Sequence, residues 1–203
     1  MGNVRGTLRV IGDLHGRHAD YLNHIADAPR SLQLGDFGFD YDCLQGVDPD
    51  SHKVLKGNHD NYSLESPHFL GDGGTWEELF FIRGERSIDA KYRTPGLDWW
   101  PQEELNHIEM DTIYDLYEKA RPEFVVSHGC PSSIIPSVAR YTHFDGEPLF
   151  PSNTALFLQA LLEVHCPKLW IFGHYHTSKV VESFGTRFVC LAECEYIDVG
   201  ELP

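Results

Sequence analysis

The sequence predicts an α/β fold, because short apolar runs typical of strands alternate with a helical pattern in the first part of the chain. Strands are predicted over 7–11, 31–34 and 53–55, and a helix is predicted over 17–27. Polar blocks that contain glycine follow each of these strands. Open α/β sheets bind ligands at the carboxyl ends of their strands, so the polar blocks are expected at the functional edge.

The second half of the chain continues this alternation after a less regular middle. A turn is predicted at 71–74 and a loop at 90–101, where Trp99 and Trp100 either pack on the core, which we favour, or stack on a nucleobase. Residues 132–151 are loop-rich and contain three prolines. The other predicted elements are strands 79–82, 124–126 and 169–172, a helix 106–119 with Asn106 and Glu109 as a capping box, a helix to about 164 capped by Ser152, and closing strands 178–184 and 188–191.

Length and composition restrict the kind of protein. The 203 residues suit a single catalytic domain, 1–203, with a sizeable core. No apolar run approaches a membrane span and no signal region follows the N-terminus, so a cytoplasmic protein without membrane contact is expected. The formal net charge of −15 argues against binding long nucleic acid but not against a small phosphoester. The five cysteines lack C-x-x-C spacing and predict reduced thiols.

Five short blocks carry the chemistry of the chain. Each combines a glycine with side chains that ligate divalent cations. Asp13 with His15, and His174 with His176, are spaced two apart, which in extended backbone turns both side chains to one side. The blocks are GDLHG (12–16), GDFG (35–38), GNHD (57–60), SHG (127–129) and GHYH (173–176).

These blocks and their order resemble the calcineurin-like metallophosphoesterase superfamily, whose pattern is D-x-H, G-D, G-N-H-D/E, a lone H and G-H-x-H. The resemblance spans Gly12 to His176. It implies two facing mixed β-sheets flanked by helices, with ligands on loops at one edge. It also implies two divalent metal ions, Mn as the first expectation and Fe, Zn, Ni or Mg as alternatives. The implied ligands are Asp13, His15, Asp36 and His176 for one ion, and Asp36, Asn58, His128 and His174 for the other.

The resemblance implies further roles in catalysis. His59 would be a proton donor to the leaving group or would stabilise the transition state. Asp60 would assist catalysis through the residues around it, without binding a metal ion itself. Protein phosphatases of this superfamily carry an Asp that orients the catalytic His and an Arg that holds the phosphate, but those positions are Phe39 and Asp40 here. Another cation is therefore expected to bind the phosphate.

Four arginines are candidates for that cation: Arg17 and, in the irregular middle, Arg83, Arg86 and Arg93. Arg17 and Arg86 are favoured for substrate binding. Arg17 follows His15 closely, at the start of a helix, which places it near the expected metal centre. The alternative for each arginine is a solvated surface charge.

The expected reaction is hydrolysis of a phosphoester by a dinuclear metal centre, with water attacking phosphorus directly. The substrate is expected to be a small phosphoester or nucleotide. Three alternatives remain open: a phosphodiesterase acting on cyclic nucleotides or nucleic-acid ends, a serine/threonine-type protein phosphatase, and a non-catalytic metal-binding scaffold. The sequence leaves the oligomeric state undecided.

Overall fold

A computed structural model describes residues 7–140 and 143–200 of the chain. The N-terminal stretch in which no signal region is predicted lies outside these residues. The strands are β1 (Leu8–Ile11), β2 (Arg30–Gln33), β3 (His52–Val54), β4 (Gly73–Trp76), β5 (Leu79–Ile82), β6 (Phe124–Ser127), β7 (His143–Phe144), β8 (Glu147–Pro148), β9 (Leu169–Phe172), β10 (Lys179–Ser183), β11 (Thr186–Cys190) and β12 (Tyr196–Val199). The helices are α1 (His18–Ile25), α2 (His107–Ala120), α3 (Ile135–Val138) and α4 (Asn153–Val164), with short 3-10 turns at Asp42–Leu44, Ala90–Tyr92 and Pro101–Glu103.

The strands form two mixed sheets, as predicted. The first has the order β12-β1-β2-β3, in which β1, β2 and β3 are parallel and β12 is antiparallel to β1. The second has the order β10-β11-β9-β6-β5-β4, in which the four central strands are parallel and both edge strands are antiparallel. A two-stranded hairpin, β7-β8, lies apart from both sheets.

Three apolar clusters explain how the layers are held. Between the sheets, side chains such as Val10 and Leu32 from the first pack with Val126 and Ile171 from the second. On the outer face of the first sheet, α1 buries Tyr21 in a separate cluster. On the outer face of the second sheet, α2 and α4 cover an aromatic cluster that includes Phe80, Trp170, Tyr117 and Leu161. The result is two facing sheets with helices on both outer sides.

Local chemistry explains the helix ends. Asn106 accepts hydrogen bonds from the backbone of α2 and the Glu109 side chain accepts from the Asn106 backbone, so the predicted capping box is confirmed. The Ser152 side chain accepts from the Ala155 N–H and caps α4, also as predicted. No helix in the described ranges is long and apolar enough to cross a membrane. All five cysteines are free.

Three parts of the fold differ from the prediction. The turn predicted at 71–74 is partly strand β4, where a Cβ on Gly73 would lie 2.8 Å from Ile113 Cγ1, so glycine lets this edge strand pass close to α2. The loop-rich region contains the short helix α3. The C-terminal prediction is incomplete: both closing strands exist with shifted bounds, but β12 was missed, and it pairs antiparallel with β1.

Candidate metal centre

The five sequence blocks meet at one edge of the molecule. Asp13, Asp36 and Asn58 follow β1, β2 and β3 of the first sheet, while His128 and His174 follow β6 and β9 of the second. The carboxyl ends of parallel strands therefore converge from both sheets. Asp13, Asp36, Asn58 and His128 are all buried, which fixes their side chains in the floor of the site.

The first group of side chains is Asp13, His15, Asp36 and His176, each offering one ligand atom within 4.8 Å of the others. His15 Nε2 lies 2.9 Å from His176 Nε2, and His176 Nε2 lies 3.2 Å from Asp13 Oδ2. His15 Nε2 lies 3.7 Å from Asp36 Oδ2. The contact with Asp13 raises the pKa of His176. Two imidazole nitrogens and two carboxylates thus converge, a donor set that suits a borderline divalent cation.

The second group is Asp36, His128 and His174, with the Asn58 amide beside them. His128 Nε2 lies 3.2 Å from Asp36 Oδ1 and 3.0 Å from Asn58 Oδ1. His174 Nδ1 lies 2.9 Å from the same amide oxygen. The Asn58 amide nitrogen donates to Ser87 Oγ at 3.2 Å, which holds the amide oxygen toward the two imidazoles. These are the two sets of residues that the superfamily pattern implies.

Protonation in the second group reflects the closeness of its charges. Burial disfavours a charged His128, but Asp36 at hydrogen-bond distance outweighs it and raises the pKa of His128 to about 10. Burial likewise opposes ionisation of Asp36, yet His128 holds its pKa well below the usual value. Burial and the neighbouring His128 lower the pKa of His174 to about 3. A cation entering here would displace the proton of His128, because imidazole ligates in its neutral form.

The ring of His128 is oriented from its other nitrogen. Nδ1 lies 2.9 Å from the carbonyl oxygen of Leu34, the residue that follows β2. An Nδ1–H donating to that carbonyl leaves Nε2 free to face Asp36 and Asn58. Support of this kind from the backbone is typical of histidines that bind metals.

Asp36 belongs to both groups, with one oxygen for each. Oδ2 faces His15 of the first group, and Oδ1 faces His128 of the second. Oδ1 also accepts the backbone N–H of His59 at 2.7 Å. A carboxylate placed in this way can serve two cations at once.

Asp60 fixes the loops behind Asp36. Its carboxylate accepts the N–H groups of Asp36 and Gly57 at 2.7 Å and of Phe37 at 3.1 Å, and the Tyr41 hydroxyl at 2.8 Å. Burial and the nearby charge of Asp36 raise the pKa of Asp60 to about 7. Asp60 is fully buried, and its hydrogen bonds hold the loops that carry Asp36 and Gly57.

The backbone at the centre is not extended as the two-residue spacing suggested. His15, Asp36, His174 and His176 have φ values of 46°, 54°, 65° and 49°. The extended-backbone argument for the two pairs was therefore wrong, although each pair does point into the site. Left-handed backbone costs free energy at residues with a side chain, and it occurs where function or packing requires it.

Glycines let the chain pass close behind the ligands. A Cβ on Gly57 would lie 2.4 Å from Asp36 Oδ1 and 2.6 Å from His128 Nε2. One on Gly173 would lie 2.1 Å from Asp13 Oδ1. The glycines at these two positions are therefore explained by close approach of the backbone to a ligand.

His59 lies beside the two groups without belonging to either. Its ring meets that of His15 edge to face at 4.9 Å between centroids. His59 also lines a cavity of about 530 Å³ that has Asp36, Asn58 and His174 in its lining, referred to below as the cavity. Burial lowers the pKa of His59, and Arg93 adds to this effect against the attraction of Asp36. The location next to the ligands matches the one expected from the sequence.

Arg93 is the cation in contact with His59. Its Nη2 lies 2.6 Å from His59 Nε2, and Asp89 holds the guanidinium at 2.7 Å from Nε and 3.0 Å from Nη2. The sequence did not favour Arg93 over its neighbours, since nothing in an irregular segment shows which arginine folds back. Phe39, at the position where protein phosphatases carry an Asp, lies near the His59 ring, with 6.5 Å between centroids.

Of the two arginines predicted to bind substrate, one lines the cavity and the other does not. Arg86 lines the cavity, and its Nη2 donates to the carbonyl of Phe150 at 2.8 Å. Arg17 does not line the cavity, because its guanidinium pairs with Asp20 at 2.7 Å and its side chain is 54% exposed. Proximity in sequence to His15 was a poor guide, since the first turn of α1 directs Arg17 to its own helix. Arg83 is buried in ion pairs with Asp72 and Glu109.

Two groups at the site gave no sequence signal. Arg140 lines the cavity, donating from Nη2 to the carbonyl of His176 and from Nε to Thr177 Oγ1 at 3.1 Å. Glu85 is buried, and its Oε2 has no hydrogen-bond partner among the described residues. Burial raises the pKa of Glu85 to about 7.

The tryptophan pair packs rather than projecting. Trp100 is buried, donates from Nε1 to Ser63 Oγ at 2.9 Å and contacts Phe39. Trp99 is half-buried. The preference for core packing over a stacking platform is confirmed for Trp100.

Comparison with solved structures identifies the fold. No family model and no curated protein matches the chain. The Phosphopantetheinyl Hydrolase of Mycobacterium tuberculosis is 14% identical, with a TM-score of 0.57 over 95% of this chain and 91% of that one. The protein TT1561 of Thermus thermophilus is 10% identical, with a TM-score of 0.50 over 96% and 98%. A candidate 5′-nucleotidase of Staphylococcus aureus is 11% identical, with a TM-score of 0.53 over 92% of this chain but only 48% of that one.

These likenesses establish the architecture and leave the activity to chemical argument. The chain shares the fold of these proteins, two facing mixed sheets with flanking helices, as the sequence analysis expected. Two of these proteins are named as a hydrolase and as a candidate 5′-nucleotidase, and the Asp and His clusters of this chain could hold metal ions.

Proposed function

We propose that the chain hydrolyses a phosphoester with a dinuclear metal centre, water attacking phosphorus directly. The observation that carries this proposal is the position of Asp36, whose two oxygens face two separate groups of ligand-type side chains. A buried carboxylate is costly unless nearby groups compensate its charge, and two bound cations would compensate Asp36 from both sides.

The donor atoms fit two divalent cations. Asp13, His15, Asp36 and His176 would hold one, and Asp36, Asn58, His128 and His174 the other. Carboxylate, amide and imidazole donors without thiolate suit Mn first, with Fe, Zn, Ni or Mg as alternatives. Bound ions would supply Lewis-acid polarisation of the phosphoryl oxygens and a lowered pKa for the attacking water.

The remaining residues would bind and protonate the substrate. His59 faces the cavity beside the ligand-type side chains, where it would donate a proton to the leaving oxygen or stabilise the transition state. Arg93 and Asp89 orient its ring, replacing the Asp and Arg that protein phosphatases use and this chain lacks. Arg86 provides a guanidinium for phosphoryl oxygens at the cavity wall. Asp60 keeps the loops of Asp36 and Gly57 in place.

The residues of the site also bear on the three alternative functions expected from the sequence. Loss of the Asp-Arg pair after the second block argues against a dedicated serine/threonine protein phosphatase. A non-catalytic scaffold would not need His59 and Arg93 in contact at the cavity. A phosphodiesterase acting on cyclic nucleotides or nucleic-acid ends remains the second candidate, because the centre suits both ester types. A small phosphoester or nucleotide is favoured over long nucleic acid by the net charge of −15.

A matched pair of substrates tests the proposal. Mn-loaded protein is assayed with nitrophenyl phosphate and with bis-nitrophenyl phosphate, before and after chelation. We expect hydrolysis that chelator abolishes and Mn restores, with the faster substrate deciding between monoesterase and diesterase. Activity on neither compound would favour the scaffold, and full activity in excess chelator would exclude the dinuclear mechanism.

A further inference from the structure

The cavity beside the metal-ligand groups is lined partly by their side chains and partly by apolar ones. Its volume is about 530 Å³, within the roughly 300–1,000 Å³ of pockets that bind small organic ligands. A phosphoryl group alone would fill only a small part of it. Asp36, Asn58, His59 and His174 form one end. The apolar wall consists of Ile88, Ile135, Pro136, Phe144, Leu149 and Phe150.

Hydrogen bonds and a ring contact hold the segments that form the apolar wall in place. Asp145 of the β7-β8 hairpin accepts from Lys91 Nζ at 2.5 Å and from the Tyr92 hydroxyl. The rings of Tyr92 and Phe144 are in contact at 6.4 Å between centroids. These contacts join the hairpin to the 3-10 turn that follows Asp89. The segment after β8 is held in turn by Arg86, which donates to the carbonyl of Phe150.

Two arginines that line this cavity form no ion pair with any residue that the structure describes. The ion pairs among the described residues include neither Arg86 nor Arg140. Their guanidinium groups donate to the carbonyls of Phe150 and His176 and to the Thr177 hydroxyl. Of the three carboxylates that also line the cavity, Asp89 is paired with Arg93 and Asp36 lies between the two metal-ligand groups, so the two guanidinium groups favour an occupant with an anionic part. The apolar wall next to them favours an occupant that is only partly anionic.

We infer that the substrate is a phosphoester whose alcohol carries a ring-sized apolar body, which lies against Ile135 and Phe150 while Arg140, held at the His176 carbonyl, flanks the phosphoryl end. This inference rests on the proposed function and specifies its substrate class. The ring can be a simple aryl group or the base of a nucleoside, since both present a flat apolar face. Small phosphoesters such as phosphoserine would leave the wall exposed to water and bind less tightly.

Binding of phosphonates, which carry no hydrolysable P–O–C ester bond, tests the inference independently of turnover. Calorimetric titration of Mn-loaded protein compares methylphosphonate, benzylphosphonate and 5′-deoxyadenosine 5′-phosphonate. We expect the two ring compounds to bind roughly tenfold or more tightly than methylphosphonate, from burial of one ring. The tighter of the two identifies an aryl or a nucleoside body. Equal affinity for all three would overturn the inference and leave the metal centre intact, whereas no binding of any phosphonate would count against the proposed function itself.

Variants locate the effect in the cavity. Phe150→Ala and Ile88→Ala alter wall residues that are 72% and 42% exposed, so the fold should tolerate both. Each should reduce the advantage of the ring compounds by roughly threefold or more while leaving methylphosphonate unchanged. Arg140→Gln should weaken all three phosphonates together. The control is Ile108→Ala, a 79% exposed residue of α2 outside the cavity, which should change nothing. Ring advantages unchanged in both wall variants would contradict the assigned subsite.

Discussion

Replacing Gly57 with alanine should disrupt the metal centre without touching a ligand. The added methyl would lie 2.4 Å from Asp36 Oδ1 and 2.6 Å from His128 Nε2, whereas ordinary contacts begin at 3.4 Å. Both side chains must therefore move away from the methyl by about 1 Å. The backbone of Gly57 is not left-handed, so the methyl itself is the whole perturbation.

The size of the effect follows from how narrowly metal sites tolerate displacement. Ligand distances in working sites vary by only about 0.2 Å, several times less than the forced movement. We therefore expect Gly57→Ala to retain at most about one ion per chain and to lose roughly a hundredfold or more in turnover. Overpacking of this kind also costs roughly 1–3 kcal/mol of folding stability.

The assay is metal analysis after dialysis, combined with thermal unfolding and hydrolysis of nitrophenyl phosphate. Gly71→Ala is the matched control, because no atom lies within 4 Å of its added methyl and its backbone is not left-handed. Folded Gly57→Ala protein that keeps two ions and near-normal turnover would refute the close approach of Gly57 to Asp36 and His128.

Three further substitutions test individual side chains. His59→Ala should keep both ions yet lose roughly 10²–10⁴-fold in turnover, with a smaller loss for nitrophenyl than for alkyl esters, and loss of metal would show that His59 is a ligand or prop. Arg93→Met should lower kcat by roughly ten- to a hundredfold with KM and metal content unchanged, because Arg93 positions His59; a raised KM with constant kcat would make it a substrate clamp instead. Glu85 has its pKa raised from 4.5 to about 7 by burial, so its contribution to folding stability is full below about pH 4.5 and is lost as the pH rises through 7. The free energy of unfolding in urea is measured for metal-free wild type and Glu85→Gln between pH 5 and pH 8. The variant should become more stable relative to the wild type as the pH rises, by up to about 3 kcal/mol. A difference that stays constant with pH would mean that burial does not raise the pKa of Glu85.

The sequence predicted which ligand-type side chains lie together, because each block is local. A strand that ends in glycine and a ligand-type residue places that residue at a sheet edge whatever the rest of the chain does. Thus Asp13, Asp36, Asn58, His128 and His174 meet as expected. The reasoning failed on backbone detail, since left-handed conformations at ligand residues depend on the surrounding fold and not on spacing.

The substrate side of the site could not be predicted, because it is assembled from distant segments. Arg93 reaches His59 across 34 positions, and Arg140 reaches the His176 carbonyl across 36. Neither arginine belongs to the five metal-ligand blocks. The missed strand β12 has the same cause, since only its pairing with β1, near the other end of the chain, defines it as part of the first sheet. Arg17 shows the converse, a residue close in sequence whose partner Asp20 directs it away.

The central claim is that two ions act together through Asp36. Metal-free protein is titrated with Mn while the initial rate of nitrophenyl phosphate hydrolysis is followed against the equivalents of Mn bound per chain. We predict little activity at the first equivalent and a rise to the full rate as the second is filled. A rate that reaches its maximum at one bound equivalent, or stays absent with two bound, would contradict the claim.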